Sequence, residues 1–192
     1  MRYYFPCKPN RLAPDSPYFA SLENDPGWLA EVKKNGWRCL AYREASGLVL
    51  YTRHHTLIND PLPDLRNFLT LTLPPGTIID GELVNNRTKG TKGLYYVFDV
   101  IQAQGGLLVN DSLISRRATL EKLLPPCPGV VELAEQTITG KKRLYEMSIE
   151  GEVNEGIVLK KASSKYLASE TRCLQHPHWL KVKRAEAHLF TN

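Results

Sequence analysis

Nowhere in its 192 residues does this sequence hold the ~18 consecutive apolar residues that a membrane-spanning helix requires. Its opening, Met1-Arg2-Tyr3-Tyr4-Phe5-Pro6, also lacks the continuous apolar core of a secretory signal, so no membrane association is expected. Cysteine is sparse and scattered. Cys7, Cys39, Cys127 and Cys173 never fall into a CxxC pair, which argues against a zinc ribbon and against a disulfide framework. Reduced thiols in a cytoplasm are the expectation. Repeats, low-complexity tracts and linker-like runs are missing too. What is present is a globular composition, in which 42% hydrophobic residues can build a core for one large domain or two small ones. Lysine and arginine (25) outnumber aspartate and glutamate (20), giving +5 and a pI near 9.0. That balance favours an anionic partner but stays well short of histone-like charge density.

Residues 28–34, 37–44 and 47–53 read as three strands of a meander, joined by Asn35-Gly36 and Ala45-Ser46-Gly47. Asn-Gly is the strongest short hairpin signal, because both residues tolerate the positive φ of a type I′ turn. Pro61, Pro63 and Asp64 introduce a short amphipathic helix with Leu65, Phe68 and Leu69 on one face, ended by Pro74-Pro75-Gly76. Strands follow at 77–84 and 94–101, separated by a polar, basic loop from Asn85 to Gly93 that suits a phosphate backbone. Ser115 to Leu124 reads as a helix with Leu120, Leu123 and Leu124 inward and Arg116-Arg117 on its wet face. A second helix at about 140–150 precedes the strand Gly156 to Lys160, and Trp179 to Leu189 makes the last strand. Strands joined by turns, with few helices between them, predict an α+β fold of mostly antiparallel sheets with flanking helices. His176-Pro177-His178 reads as ordinary surface rather than as a metal pair.

Charged residues recur beside these stiff apolar runs. A lysine amine is a nucleophile only when deprotonated, a state promoted by desolvation or by neighbouring cations. For Lys33 the candidate neighbours are Lys34, Arg38, Lys181 and Lys183. Lys181 and Lys183 are two apart on a strand and share a face, as do Glu31 and Lys33. Glu155, next to a glycine and an apolar strand, is a reasonable ligand for a hard cation, and Glu82 after Asp80-Gly81 is placed similarly.

Six of these clusters, in chain order, resemble the adenylation domain of the covalent nucleotidyltransferases: ATP-dependent DNA ligases, RNA ligases and mRNA capping enzymes. Lys33-Lys34-Asn35-Gly36-Trp37-Arg38 resembles the nucleophile motif KxDGxR, with Asn35 where Asp is commoner. Thr52-Arg53, Asp80-Gly81-Glu82-Leu83-Val84 and Tyr96-Val97-Phe98-Asp99 match the following elements. Glu155-Gly156-Ile157-Val158-Leu159-Lys160 and Trp179-Leu180-Lys181-Val182-Lys183 complete the set. The resemblance covers about residues 28–184 and implies an ATP-grasp-like nucleotidyltransferase fold.

It also implies roles. Lys33 would attack the α-phosphorus of ATP, with Arg53, Lys181 and Lys183 on phosphates and Mg²⁺ or Mn²⁺ on Glu155 and Glu82. Glu82 would also lie near the ribose. Phe98 would stack on adenine, Glu31 would accept from its amino group, and Arg38 would contact the ribose. Asp99 would help hold the site or a metal. The activity implied is that of a DNA ligase acting on nicked duplex DNA, with an RNA ligase as the second reading because Asn35 departs from the motif. A capping guanylyltransferase comes third, and a non-catalytic nucleic-acid-binding module is the reading from another class. Ligases of this family continue into an oligonucleotide-binding (OB-fold) barrel, and about nine residues follow Lys183. The expectation is therefore one adenylation domain over 1–192, monomeric and without an OB-fold, the barrel coming if at all from a separate chain or another repair protein.

Overall fold

In the computed structural model, which describes residues 1–59, 62–84, 93–150 and 154–184, the strands assemble into two sheets. One runs β1 (Lys8–Arg11), β10 (Gln175–Lys183), β9 (Asn154–Lys161), β2 (Trp28–Lys34). The other runs β4 (Gly47–Thr52), β3 (Trp37–Glu44), β5 (Thr77–Val84), β6 (Leu94–Ala103), β7 (Gly106–Leu107), with β8 (Val131–Leu133) also on β6. Pairing is antiparallel except at β1–β10 and β6–β8. Four helices flank them: α1 (Pro17–Leu22), α2 (Pro63–Thr72), α3 (Leu113–Leu123) and α4 (Lys141–Ile149). This is the expected α+β class, and neither sheet closes into a barrel among the described residues. No described helix is long and apolar enough to cross a membrane.

Because strand side chains alternate between faces, each sheet can bury two different surfaces. Cys39, Ala41, Ile79, Leu83 and Val97 pack with Leu65 and Leu69 of α2 and Leu120 of α3. On the other sheet Ala30, Ile157, Leu159, Leu180 and Val182 pack with Phe19 and Leu22 of α1 and Tyr145 of α4. The remaining faces meet each other, where Leu40, Tyr42, Ile78 and Ile101 share a cluster with Trp179, Tyr166 and Cys7. Helices thus cover the outer faces. Polar side chains on the inner faces are forced into the space between the sheets.

Several expectations change here. β2 and β3 are not hairpin partners, since β2 pairs with β9 and β3 with β4 and β5. Asn35-Gly36 carries the chain from one sheet to the other, and neither residue takes a positive φ. Glycine is needed for a different reason: a Cβ at Gly36 would lie 2.5 Å from the Leu83 carbonyl oxygen. The last strand begins at Gln175 and is described to Lys183, while residues 185–192 and the basic stretch 85–92 lie outside the described residues. β1 and α1 were not foreseen. β1 is a proline-interrupted, bulged strand that gains its partner from β10, and α1 is only six residues long, capped by Ser16. His176 is buried rather than on the surface, with its ring stacked on Trp179 (4.8 Å) and its Nε2 on the Lys165 carbonyl at 2.9 Å.

Arg116 is also corrected. Instead of the wet face of α3, its guanidinium is fully buried and donates twice to Asp99, at 2.7 and 2.9 Å, and to the carbonyls of Asp111 and Ser164. Asp99 is equally buried, so this carboxylate ties β6 to α3 and is not available to a metal. Removing one partner leaves the other charge without water. Asp99→Ala is expected to cost about 3–5 kcal/mol of unfolding free energy in urea melts. A cost under about 1 kcal/mol, the range of exposed pairs, would mean that the pair is not desolvated.

Candidate active site

The inward positions of both sheets line a cleft of about 620 Å³. Glu31 and Lys33 of β2, Arg38 of β3, Glu82 of β5 and Phe98 of β6 reach it, as do Glu155 of β9 and Lys181 and Lys183 of β10. Arg53, just after β4, completes the group. Nine of the residues singled out in the sequence therefore border one space, although they come from seven strand regions, while Asp99 does not reach it. Period-two alternation explains it: residues 31 and 33, 96 and 98, 158 and 160, and 181 and 183 turn inward while their neighbours feed the outer cores.

At one end, Glu155 holds two ammonium groups. Lys33 Nζ lies 2.8 Å from Glu155 Oε2, and Lys183 Nζ contacts the same oxygen. Burial acts to raise the Glu155 carboxyl, but Lys183 and Lys33 outweigh it and hold the group below the usual value. Lys181 is shifted down by burial, with repulsion from Lys183, Lys33, Lys8 and Arg11 adding to it. The geometry rests on Gly156, which stands opposite Lys33 on one side and Lys183 on the other. Its φ is +135°, and a Cβ there would collide with the Val182 carbonyl.

Aromatic and ionic groups alternate at the other end. Phe98 carries the Arg38 guanidinium on its ring at 4.6 Å and the Lys160 ammonium at 4.6 Å, and Lys160 also lies 4.4 Å from the Trp179 ring. Lys160 pairs with Glu31 at 2.6 Å, and Gln136 donates to the other Glu31 oxygen at 2.7 Å. Arg38 is fixed by two hydrogen bonds to Asp80, both 2.5 Å, and Tyr166 donates to the same carboxylate. Lys160, Gln136, Asp80 and Tyr166 were given no role from sequence. For Lys160 a signal existed, since it lies two residues beyond Val158 on the inward face of β9. Gln136 and Tyr166 sit in loops with no periodicity to read.

Glu82 is pushed up by burial; Lys33 and Arg38 oppose this, while Glu155 and Asp80 add to it. Glu82 and Glu155 both line the cleft and carry the carboxylate oxygens that a hard divalent cation takes. Among the described residues no group of three or more His, Cys, Asp or Glu side chains gathers, so any such ion would rely on few protein ligands.

Comparison with known proteins gives these features a context. A family model described as ATP dependent DNA ligase domain matches residues 86–183. The chain is 30% identical over 176 residues to the SPbeta prophage-derived DNA ligase-like protein LigB of Bacillus subtilis (strain 168), covering 83% of this chain and 62% of that protein. It is 36% identical over 93 residues to DNA ligase 4 of Eremothecium gossypii, 47% of this chain and 9% of that one. The chain thus spans less than two thirds of the length of these relatives. The ligase domain of M. tuberculosis LigD has a like fold, with a TM-score of 0.70 at 21% identity, covering 94% of this chain and 59% of that chain.

A carboxyl raised on folding contributes stability below its unfolded value and loses it as pH rises through the folded one. Glu82 follows that sign. Glu82→Gln is expected to melt at a higher temperature than wild type at pH 8, the two converging near pH 4, where the wild-type carboxyl is protonated. A variant that melts lower than wild type at pH 8 would refute the assignment of desolvation as the dominant influence.

Proposed function

The chain belongs to the ATP dependent DNA ligase domain family, and from that premise we propose that it transfers adenylate from ATP to a 5′-phosphate and so seals nicks in duplex DNA. In the first step the lone pair of Lys33 Nζ forms a bond to the α-phosphorus of ATP. The α–β phosphoanhydride bond breaks, pyrophosphate leaves with the electron pair, and the amine loses its extra protons to solvent. AMP then passes from Lys33 to the 5′-phosphate of a nick, and the neighbouring 3′-hydroxyl displaces AMP to close the strand.

What carries the reading is the contact of Lys33 with Glu155 at one end of a cleft whose other end offers an aromatic ring and a hydrogen-bonding edge. Adenine would stack on Phe98 with its amino group toward Glu31, and Arg38, pinned by Asp80, would meet the ribose beside Glu82. Lys181, Lys183 and Arg53 would face phosphates, where fixed cations lower the cost of bringing a nucleophile to crowded negative charge. Glu155 and Glu82 would hold Mg²⁺ or Mn²⁺, which supplies charge neutralisation at the triphosphate. Residues 1–192 form one adenylation domain in this reading, and the duplex is its nucleic-acid partner.

Incubation with α-labelled ATP and Mg²⁺ is expected to label the wild-type chain and leave Lys33→Ala unlabelled. A folded wild-type chain that takes no label would instead be a nucleic-acid-binding module, and label from GTP alone would reassign it to capping chemistry. Glu155→Gln is expected to raise the Mg²⁺ needed for half-maximal labelling by about tenfold or more, and an unchanged titration would remove Glu155 as a metal ligand. With preadenylated nicks, sealing is expected on DNA; sealing of RNA only would overturn the substrate assignment.

A further inference from the structure

The Thr52–His55 turn presents Arg53 and His54 to the cleft, and its conformation is not one that its own residues favour. His55 has φ +63°, a left-handed value uncommon among L side chains, although His takes it more readily than most. Local bonds close the turn: the His55 amide donates to the Thr52 carbonyl at 3.1 Å, and the Thr52 amide to the Thr56 carbonyl at 2.8 Å. The Thr52 hydroxyl also accepts from the His54 and Thr56 amides at 3.3 Å, and the Cys173 thiol donates to the Arg53 carbonyl at 3.5 Å; further support comes from the N-terminal segment. The Tyr3 hydroxyl donates to the Thr52 carbonyl at 2.7 Å and accepts from the His55 amide at 3.2 Å, so one atom grips both ends of the turn. The Tyr3 ring lies flat on the His55 ring, with centroids 4.0 Å apart and planes 16° apart.

Tyr3 is itself well anchored. Its ring stacks on Tyr42 of β3 and meets Tyr51 of β4 and Phe5 edge-on. Just after it the segment is tied to both halves of the molecule: the Tyr4 amide donates to the Tyr42 hydroxyl, and the Phe5 amide to the Ser169 carbonyl at 2.7 Å. Beyond this, β1 pairs with β10, and Pro6, Cys7 and Lys8 line the same cleft as Arg53. The N-terminal segment therefore runs as a strap from one sheet to the other, and its hydroxyl fixes the turn that carries a cation facing the site.

We infer that Tyr3 is a positioning residue, whose hydroxyl sets the Thr52–His55 turn and through it the direction of the Arg53 guanidinium. This rests on the reading above that Arg53 faces a phosphate. The turn can be examined without any activity, because trypsin cleaves after Arg53 only when the turn opens. Tyr3→Phe keeps the aromatic stack and removes both hydrogen bonds of the grip, so the initial rate of cleavage at Arg53–His54 should rise at least about fivefold, the effect expected of even one lost hydrogen bond, with little change in melting temperature. An unchanged cleavage rate overturns the inference. Single-turnover rates of lysyl-AMP formation and of AMP transfer to a 5′-phosphorylated nick should then be measured for wild type, Tyr3→Phe, Arg53→Ala and the double variant. Whichever step Arg53→Ala slows, Tyr3→Phe should slow about fivefold, and it should add nothing once Arg53 is gone. Equal slowing in both backgrounds would show that Tyr3 acts through something other than Arg53, and would also overturn it. A wild-type chain that forms no lysyl-AMP defeats the proposed function instead, while the cleavage rates still decide whether Tyr3 holds the turn.

Discussion

One carboxylate shared by two ammonium groups organises the lysine-rich end of the cleft. Lys33, Lys181 and Lys183 lie close enough to repel one another, and unit charges ~4 Å apart interact by about 4 kcal/mol in a protein-like medium. Glu155, carried by β9 between β2 and β10, offsets that repulsion for two of the three. It does so only because β9 sits between the lysine-bearing strands in a register that places Gly156 opposite both Lys33 and Lys183. The backbone turns there through a positive φ and passes hard against Val182, where any larger residue would force the strands apart. Sheet geometry and site electrostatics are thus one constraint.

Around this pair the cleft is built from groups that are expensive to bury. Glu31 and Lys160 are almost fully shielded, as is Asp80 beneath Arg38. Buried ion pairs seldom repay their desolvation as net stability, so their presence is better explained by orientation. Asp80 receives Arg38 twice and Tyr166 once, and Glu31 accepts a hydrogen bond from Gln136 and pairs in charge with Lys160. A side chain satisfied in this way cannot swing into another rotamer without leaving a charge unpaired. That fixes the Arg38 guanidinium over Phe98 more firmly than a cation–π contact of about 0.5–2 kcal/mol could alone.

How much of this was legible beforehand depended on whether the signal was local. Strands 28–34, 37–44 and 77–84 were bounded correctly because β-branched and aromatic runs end at local turn signals, and the two-residue period of a strand placed Lys181 beside Lys183. Which strands pair was not local information. Asn35-Gly36 carries a hairpin signal, yet β2 leaves for a partner far along the chain, and the glycine answers a contact with Leu83 rather than a turn. Arg116 failed for a related reason: on α3 alone a guanidinium belongs in water, and only the position of Asp99 on β6 makes burial possible. The residues behind the first row of the cleft, such as Gln136 and Tyr166, gain meaning only from what folds against them.

Two cations share the Phe98 ring. Cations from β3 and β9, Arg38 and Lys160, occupy its ring, and an aromatic ligand must displace one of them or stack alongside. The two are not equally held. Arg38 would have to give up two charge-assisted hydrogen bonds to a fully buried carboxylate. Lys160 is bound to Glu31 by one contact and has a second ring, Trp179, beside it, so it can move off Phe98 and still satisfy its charge. Lys160 is therefore the cation that leaves the Phe98 ring at lower cost, while it stays paired with the Glu31 carboxylate.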